Sequence, residues 1–302
     1  MSLNGILIIN AFLDSPQVRD TYKALLEGAG RASVNMKVMR NDDFFTDLET
    51  GLVKVGSDSA GHALGDADFI LFWNKDVFLG RSLERMGHRL FNPADPIEYC
   101  DNKALTYEKL GGICRMPRTV KIPMTFETVG YTDLSFEDRL GDLLGYPYVI
   151  KECYGSYGGQ VYLATDKESA RMILKSIEGK ECLAQEFIAT SKGRDIRAYV
   201  VGDRVVAAME RNNPDDFRSN ITGGGKAVPI TITKEQEQMA VACVEKLGMD
   251  FAGVDLLYGK NDEPLLCEVN SNAQFIGLRS ATGIDISDAL FEHIKFKTRT
   301  GR

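Results

Sequence analysis

The sequence predicts a mixed α/β protein built from three lobes, each of which combines helices with strands. A chain of 302 residues is long enough for more than one lobe. In the first third, short apolar runs alternate with helical periodicity, which indicates an α/β sheet. The rest contains several strand-like runs joined by glycine-rich loops and followed by helices, which favours α+β lobes. We expect the lobes to span residues 1–95, 96–187 and 188–302.

The first lobe, residues 1–95, opens with a strand and a helix. The strand is predicted from the apolar run Ile6 to Ile9, and Ser15 and Pro16 are typical of a helix N-cap and first helical residue. Apolar residues then recur at helical spacing up to Gly30. Two further strands are predicted, from Val34 to Met39 and from Asp68 to Trp73.

The second lobe, residues 96–187, is predicted to begin after the turn-forming stretch Asn92 to Pro96. Thr165 and Glu168 have the spacing of a capping box, so we expect a helix to begin there. The other predicted elements are a short helix from Asp101 to Leu110 and strands from Pro147 to Lys151 and from Gln160 to Ala164.

The third lobe, residues 188–302, contains four predicted strands and a helix that begins at Thr233 and Gln236 and ends at Gly248. The strands are Ile196–Val201, Val205–Arg211, Phe251–Tyr258 and Leu265–Asn270.

Composition excludes several classes of protein. The net charge of −7 argues against a general nucleic-acid surface, and 44% hydrophobic with 26% charged residues is ordinary for a soluble protein. We expect no signal peptide and no membrane span, because the apolar runs are too short. The six cysteines form no CxxC pair and the three histidines no HxH or HExxH spacing, so neither a disulfide framework nor a transition-metal site is indicated. A reducing cytoplasm fits these features best.

A carboxylate and an amide close together in the last predicted strand suggest a metal site. Strand alternation predicts that Glu268 and Asn270 point to one side, with Cys267 and Val269 on the other. If this strand pairs with the preceding one, Asp255 adds a third oxygen, and such a set of hard oxygens suits magnesium. The alternative is a solvated strand end in which Asn270 opens a turn.

A second pattern suggests phosphate binding. Lys151 ends an apolar strand and is followed by the glycine-rich segment Gly155 to Gly159, whose backbone N–H groups could cradle phosphate beside the lysine charge. A glycine-rich hairpin turn is the alternative. The run Gly223 to Lys226 is better interpreted as a flexible loop. Arg218 could stabilise phosphoryl charge, or could be a surface salt-bridge residue.

These motifs, in this order, resemble the ATP-grasp superfamily, and most closely its RimK-like amino-acid ligase branch. The resemblance covers roughly residues 96–294 and rests on the segments 184–188, 193–203, 207–211, 216–220 and 282–285, together with Lys151, Asp255 and the Glu268-x-Asn270 motif. It implies an ATP-grasp fold with an N-terminal Rossmann-like pre-ATP-grasp domain at 1–95, a central lobe with a glycine-rich lid at 96–187, and a C-terminal lobe with the metal site at 188–302.

The resemblance also implies a role for each site residue. ATP would lie between the two ATP-grasp lobes, with its adenine read by the backbone at Glu186 and Phe187. The phosphates would contact Lys103 and Lys151 beneath a lid that contains Gly155, Ser156 and Gly158. The nucleoside would lie near Asp195, the phosphates and acyl group would be bordered by Arg218, Ser219 and Asn220, and magnesium, or alternatively manganese, would be held by Asp255, Glu268 and Asn270.

The implied activity is that of an ADP-forming carboxylate–amine ligase that works through an acyl phosphate. Arg218 and Lys151 are its candidate catalytic residues. An amino acid such as glutamate is the expected substrate, the partner being a carboxylate or amine acceptor, either a small molecule or a peptide. A homo-oligomer is common in this family. A D-alanine–D-alanine-type ligase and a non-catalytic, synapsin-like ATP-binding regulator are the alternatives.

One segment departs from the family pattern. Glutamate-adding relatives usually carry Pro-Gly shortly after the Glu-Val-Asn motif, whereas this chain continues from Ser271 to Gly277 without a proline. Substrate identity therefore does not follow from the resemblance. Arg279 could pair with a substrate carboxylate, or with a nearby acid in a structural ion pair.

Overall fold

The computed structural model describes residues 2–56, 58–156, 158–177, 179–220 and 224–301. Tyr157 of the glycine-rich segment and Gly223 of the predicted flexible loop lie outside the described residues. The three main sheets lie at 3–91, 119–186 and 194–270. The lobe boundaries after residues 95 and 187 stay predictions.

The N-terminal sheet has four parallel strands in the order β2-β1-β6-β7. Its first helix begins as predicted, because the Ser15 side chain accepts a hydrogen bond from the Val18 backbone N–H and Pro16 is the first helical residue. The helix runs to Arg31, one residue beyond the glycine predicted to end it. The elements are β1 Leu3–Ile9, α1 Pro16–Arg31, β2 Val34–Arg40, β3 Phe44–Thr46, β4 Val53–Val55, β5 Asp58–Ser59, α2 Ala60–Leu64, β6 Phe69–Trp73, α3 Val77–Arg85 and β7 Leu90–Phe91. The Rossmann-like character of this lobe stays a prediction.

Two short helices follow, α4 Ala94–Asp101 and α5 Lys103–Leu110. The single helix predicted from Asp101 to Leu110 is wrong at its start, because Asn102 has extended backbone angles and separates the two. Its side-chain oxygen accepts hydrogen bonds from the first backbone N–H groups of α5, which makes it the N-cap. This cap sets Lys103 at the first turn of α5.

The central sheet is antiparallel, with strand order β10-β9-β11-β8. The capping box predicted at Thr165 and Glu168 lies one residue later, since Asp166 is the N-cap and its carboxylate accepts a 2.8 Å hydrogen bond from the Ser169 backbone N–H. The elements are β8 Thr119–Lys121, α6 Phe136–Leu144, β9 Tyr148–Glu152, β10 Val161–Ala164, α7 Lys167–Ser176 and β11 Cys182–Glu186.

The C-terminal sheet is also antiparallel, in the order β14-β13-β12-β15-β16. The predicted capping box of Thr233 and Gln236 is confirmed. The elements are β12 Arg194–Val201, β13 Arg204–Asn212, β14 Lys226–Pro229, α8 Lys234–Leu247, β15 Phe251–Tyr258, β16 Pro264–Asn270, α9 Ile276–Thr282 and α10 Ile286–Thr300. One face of this sheet packs against α8 in an apolar core.

A second core joins the N-terminal and C-terminal sheets. Trp73 at the end of β6 stacks on Phe251 of β15, with ring centroids 5.6 Å apart, and contacts Phe275 edge to face. These rings belong to one buried cluster with residues of α1 and α10. The end of β6 is thereby held beside the chain that follows β16. None of the described helices is long and apolar enough to cross a bilayer.

Candidate active site

A cavity of about 590 Å³ lies where the three lobes meet. This volume is within the range of small-ligand sites. All of the predicted site residues line it: Lys103, Lys151, Gly155, Ser156, Gly158, Glu186, Phe187, Asp195, Arg218, Ser219, Asn220, Asp255, Glu268 and Asn270. Arg279 is absent from the cavity wall among the described residues, and its Nη1 lies 3.3 Å from Asp285 Oδ2. Of the two roles predicted for Arg279, the structural ion pair is the one present.

The pairing of β15 with β16 aligns the predicted metal ligands. Asp255 lies directly opposite Glu268, and Gly253 lies opposite Asn270. The register shifts between Asp255 and Leu256, so Cys267 is an extra residue in β16. The predicted side for Cys267 is therefore wrong: a β-bulge places it on the cavity side with Glu268. Val269 stays on the opposite, core-facing side.

The candidate metal ligands of β15 and β16 suit a hard divalent cation. Among the described residues, the Glu268 carboxylate has no hydrogen-bond or salt-bridge partner, and the Asn270 Nδ2 atom is buried without one. The Glu268 carboxylate is therefore available to a cation, whereas the Asn270 Nδ2 group can only donate and needs an acceptor, so a metal ion would take the Asn270 Oδ1 atom. No group of three or more His, Cys, Asp or Glu side chains converges within the described residues. The candidate set instead combines two carboxylates with one amide, as magnesium sites allow.

Asp255 differs from the other two candidate ligands because it is already paired. Its carboxylate accepts hydrogen bonds from Arg197 Nε and from Arg197 Nη2 at 2.7 Å, and Arg211 Nη2 lies 2.9 Å from Oδ2. Arg211 also pairs with Asp195 through its Nε, at 2.7 Å. Burial opposes ionisation of Asp255, but the two arginines outweigh it and lower the pKa of this carboxyl. Asp255 is therefore an anion held between two guanidinium groups.

Lys151 and Cys267 meet across the cavity from different lobes. Lys151 Nζ lies 3.7 Å from Cys267 Sγ, and its side chain is buried. Burial disfavours its ammonium ion, but the anionic forms of Cys267, Tyr107 and Glu268 outweigh burial and raise the pKa of Lys151. Burial raises the pKa of the Cys267 thiol to about 11. At neutral pH the site therefore holds a lysine cation beside a neutral thiol.

The glycine-rich segment touches both lysine and arginine candidates. Lys103 Nζ donates a 3.2 Å hydrogen bond to the Gly155 carbonyl, and Arg218 Nη1 donates one of 2.8 Å to the Gly158 carbonyl. Arg218 also donates hydrogen bonds to the Asp216 carboxylate. These bonds between Arg218 and Asp216 lower the pKa of Asp216. The segment thus bridges from the central lobe to the loop that carries Arg218 and Asn220.

The predicted adenine segment follows β11. The Glu186 backbone N–H donates to the Arg118 carbonyl at 2.9 Å, and its carboxylate accepts from the Arg118 backbone N–H at 3.2 Å. Among the described residues, the backbone N–H and carbonyl of Phe187 have no hydrogen-bond partner. The Phe187 ring packs edge to face against Phe217, with centroids 6.4 Å apart. Phe187 therefore offers a free donor and acceptor beside an aromatic wall.

Sequence reasoning missed several residues of the cavity. Arg197 follows Asp195 by two positions in β12, so strand alternation could have placed both on one face. Asn74 and Asn272 also line the cavity, but they are far apart in the chain and no local pattern connects them.

Comparison with known proteins identifies the family. The RimK-like ATP-grasp domain matches residues 118–294. A probable alpha-L-glutamate ligase of Stenotrophomonas maltophilia (strain K279a) is 35% identical over 218 residues, which are 71% of this chain and 72% of that protein. Human N-acetylaspartylglutamate synthase A is 34% identical over 222 residues, 73% of this chain and 56% of that protein.

The fold is also that of solved ATP-grasp ligases. A crystal structure of D-alanine–D-alanine ligase from Bacillus anthracis complexed with ATP superposes with a TM-score of 0.73 at 17% identity, covering 99% of this chain and 98% of that one. At this identity the likeness shows the fold alone. The extent of the sequence match decides the family: the chain belongs to the RimK-like ATP-grasp family, whose members are ADP-forming carboxylate–amine ligases that use ATP and magnesium.

Proposed function

We propose that this chain joins an amino acid, with glutamate as the first candidate, to a carboxylate or amine acceptor that is a small molecule or a peptide. The observation that carries the proposal is the cavity between the lobes, which is lined both by two buried lysines and by the Glu268 carboxylate, a group without a hydrogen-bond or salt-bridge partner among the described residues. The names of the relatives support glutamate, since one is a probable glutamate ligase and another makes N-acetylaspartylglutamate.

The reaction has two balanced steps. A substrate carboxylate oxygen attacks the γ-phosphorus of ATP; the new P–O bond replaces the bond to the bridging oxygen, and ADP leaves with that electron pair. An amine nitrogen then attacks the acyl carbon, the C–N bond forms, and phosphate leaves as the C–O bond breaks. One proton is released from the amine. Neither step requires a covalent enzyme nucleophile, so positioning and electrostatics carry catalysis.

The residues of this chain have distinct roles in the proposal. Lys103 and Lys151 offset the phosphate charge, and the raised pKa of Lys151 keeps it protonated for this role. Arg218 stabilises charge on the acyl phosphate. Its hydrogen bond to the Gly158 carbonyl connects the acyl-phosphate site to the glycine-rich lid. The lid excludes water that would hydrolyse the acyl phosphate. Asp195 lies near the nucleoside, and Ser219 and Asn220 border the phosphates.

Glu268 and Asn270 are the proposed magnesium ligands, with Asp255 as the third. Magnesium supplies positive charge that screens the phosphate oxygens during transfer. Because Asp255 is paired with Arg197 and Arg211, its ligation requires at least one of these contacts to loosen. Manganese can replace magnesium in a set of oxygen ligands. A homo-oligomeric state and a cytoplasmic location stay predictions.

The test is amine-dependent release of ADP. Purified protein with ATP and magnesium is given each of the common amino acids, alone and with carboxylate or peptide acceptors, and ADP and the amide product are measured. We expect glutamate to stimulate release, and the Glu268→Gln variant to abolish it while still folding. ATP binding without stimulation by any carboxylate–amine pair would reject ligation and favour an ATP-binding regulator.

A further inference from the structure

The cavity has a second polar region, where the N-terminal lobe meets the chain after β16. Four buried polar atoms in this region have no hydrogen-bond partner among the described residues: Asn74 Nδ2, Asn270 Nδ2, Ser271 Oγ and Asn272 Oδ1. All four residues line the cavity. A buried polar group without a partner is unfavourable, so such a cluster in one cavity indicates a place for a polar ligand.

Asn74 presents a hydrogen-bond donor. Its Oδ1 accepts from the backbone N–H groups of Lys75, at 2.8 Å, and Asp76, at 3.0 Å. These two contacts fix the orientation of the amide, because an amide nitrogen could not accept them. The Nδ2 group is therefore the unpartnered end, on a side chain that is only 3% exposed.

Asn272 presents the complementary acceptor. Its Nδ2 donates a 2.8 Å hydrogen bond to the Asn74 backbone carbonyl, which leaves Oδ1 unpartnered. The surrounding loop is fixed to the N-terminal lobe: Asn92 Nδ2 donates to the Ser271 carbonyl at 3.1 Å, and Gln274 is hydrogen-bonded to Thr21. A free donor and a free acceptor are thus held beside each other by one hydrogen bond between the lobes.

We propose that Asn74 and Asn272 form the subsite for the free amino acid that supplies the amine, with Asn74 Nδ2 donating to its α-carboxylate and Asn272 Oδ1 accepting from its amino group. A donor paired with an acceptor matches the two ends of an amino acid, whereas a phosphate or a simple carboxylate offers no donor. Asn272 follows the metal-site residue Asn270 by two positions, which keeps the amine near the transferred acyl group. This subsite rests on the proposed function and names the substrate group that it recognises.

The decisive variant is Asn74→Asp. The aspartate keeps the oxygen that accepts from Lys75 and Asp76, but it replaces the free donor with an acceptor that repels a carboxylate. We expect the KM for the amino acid to rise by at least about tenfold, since hydrogen bonds to charged groups contribute about 1.5–3 kcal/mol, while the KM for ATP changes less than twofold. Asn41→Asp is the matched control: Asn41 Oδ1 also accepts a backbone N–H, from Ala11 at 2.8 Å, but the residue does not line the cavity.

An α-carboxamide analogue of the amino acid sharpens the test. Wild type should prefer the α-carboxylate, and the Asn74→Asp variant should lose or reverse this preference, because its new acceptor can pair with the carboxamide N–H. If Asn74 had only a structural role, the variant would not change its preference between the α-carboxylate and the α-carboxamide. Thermal unfolding checks the fold, and Asn74→Ser, whose hydroxyl can still accept a loop N–H, replaces the aspartate variant if that one is unstable.

Calorimetric binding of the amino acid, with a non-hydrolysable ATP analogue present, separates this inference from the proposed function. Amino-acid binding that weakens in the Asn74 variant supports the subsite even if wild type shows no ADP release, and in that case ligation fails alone. An unchanged affinity and KM in a folded Asn74 variant overturn the subsite while ligation stands. Absence of amino-acid binding to wild type also overturns it.

Discussion

At the residue scale, Cys267 shows how one extra residue in a strand changes the chemistry of a site. Without the bulge, alternation would place it on the core side with Val269; with the bulge it lies in the cavity, 3.7 Å from the Lys151 ammonium. The thiol is not required by either step of the proposed reaction. It is instead a reporter of the cavity.

The pKa of Cys267 leads to a testable pH dependence. Only the thiolate reacts with iodoacetamide, and burial raises the thiol pKa from its ordinary value of 9.0 to about 11. Alkylation should therefore be slow at pH 7 and accelerate about tenfold per pH unit up to pH 9, without a plateau. Peptide mass spectrometry measures the rate at this residue. A plateau near pH 8 would contradict a raised pKa, and protection by ATP would confirm its place in the nucleotide site.

Asn270→Ala tests the metal assignment. The alanine removes one proposed ligand oxygen and an unpartnered buried amide, so the fold should be little affected while magnesium-dependent ADP release falls by about 100-fold. Magnesium titrations of activity and thermal unfolding measure the two effects. The exposed Asn35→Ala is the control and should behave as wild type. Unchanged magnesium dependence in the Asn270 variant would remove this residue from the metal site.

At the element scale, two antiparallel sheets contribute residues to the same cavity. The row Asp195, Arg197 and Asp255 lies on the cavity face of β12 and β15, while the alternate residues pack against α8. Gly253 permits this arrangement, because a Cβ there would come within 2.5 Å of the Ala273 side chain. The loop after β16 can therefore lie directly against the sheet.

The conformation of the proposed glycine-rich lid depends on one backbone position. Gly158 has φ +74°, and a Cβ there would lie 2.7 Å from Asn220 Oδ1. Gly158→Ala should therefore strain the lid by about 1–2 kcal/mol and displace it from the Arg218 loop, raising the KM for ATP about tenfold with little change in unfolding temperature. Steady-state kinetics give the result. The neighbouring Gly159→Ala is a matched control, since a Cβ there has no atom of the described residues within 4 Å; equal effects of both would rule out this contact.

At the scale of the whole molecule, Asn92 connects the N-terminal lobe to the floor of the site. Its fully buried side chain accepts from the backbone N–H groups of Asp250 and Phe251, and donates to the carbonyls of Phe251 and Ser271. The same contacts position the loop that carries Asn272. The N-terminal lobe therefore contributes to the cavity wall and to the shared core.

Asn92→Ala should destabilise the whole protein. It leaves buried backbone groups without partners, so we expect the free energy of unfolding to fall by at least about 3 kcal/mol. Urea denaturation followed by fluorescence of Trp73, the single tryptophan, measures the change because this ring packs at the same junction. Asn35→Ala should change stability by less than about 0.5 kcal/mol. A similar small loss for Asn92→Ala would mean that the lobes are held by apolar packing alone.

Local patterns in the sequence predicted the candidate metal motif, Lys151, the glycine-rich segment and most strands, because strand alternation, caps and glycine runs act over a few residues; Lys103 came only from the family resemblance. Their limits are visible at Thr165, where the cap lies one residue later, and in α6, α9 and α10, which were not predicted. Only the tertiary structure decided that Cys267 faces the cavity, that Arg197 and Arg211 hold Asp255, and that Asn74 meets Asn272. Each depends on a strand register or on a contact between lobes that no short window contains, since side chains distant in the chain become neighbours only when the sheets pack.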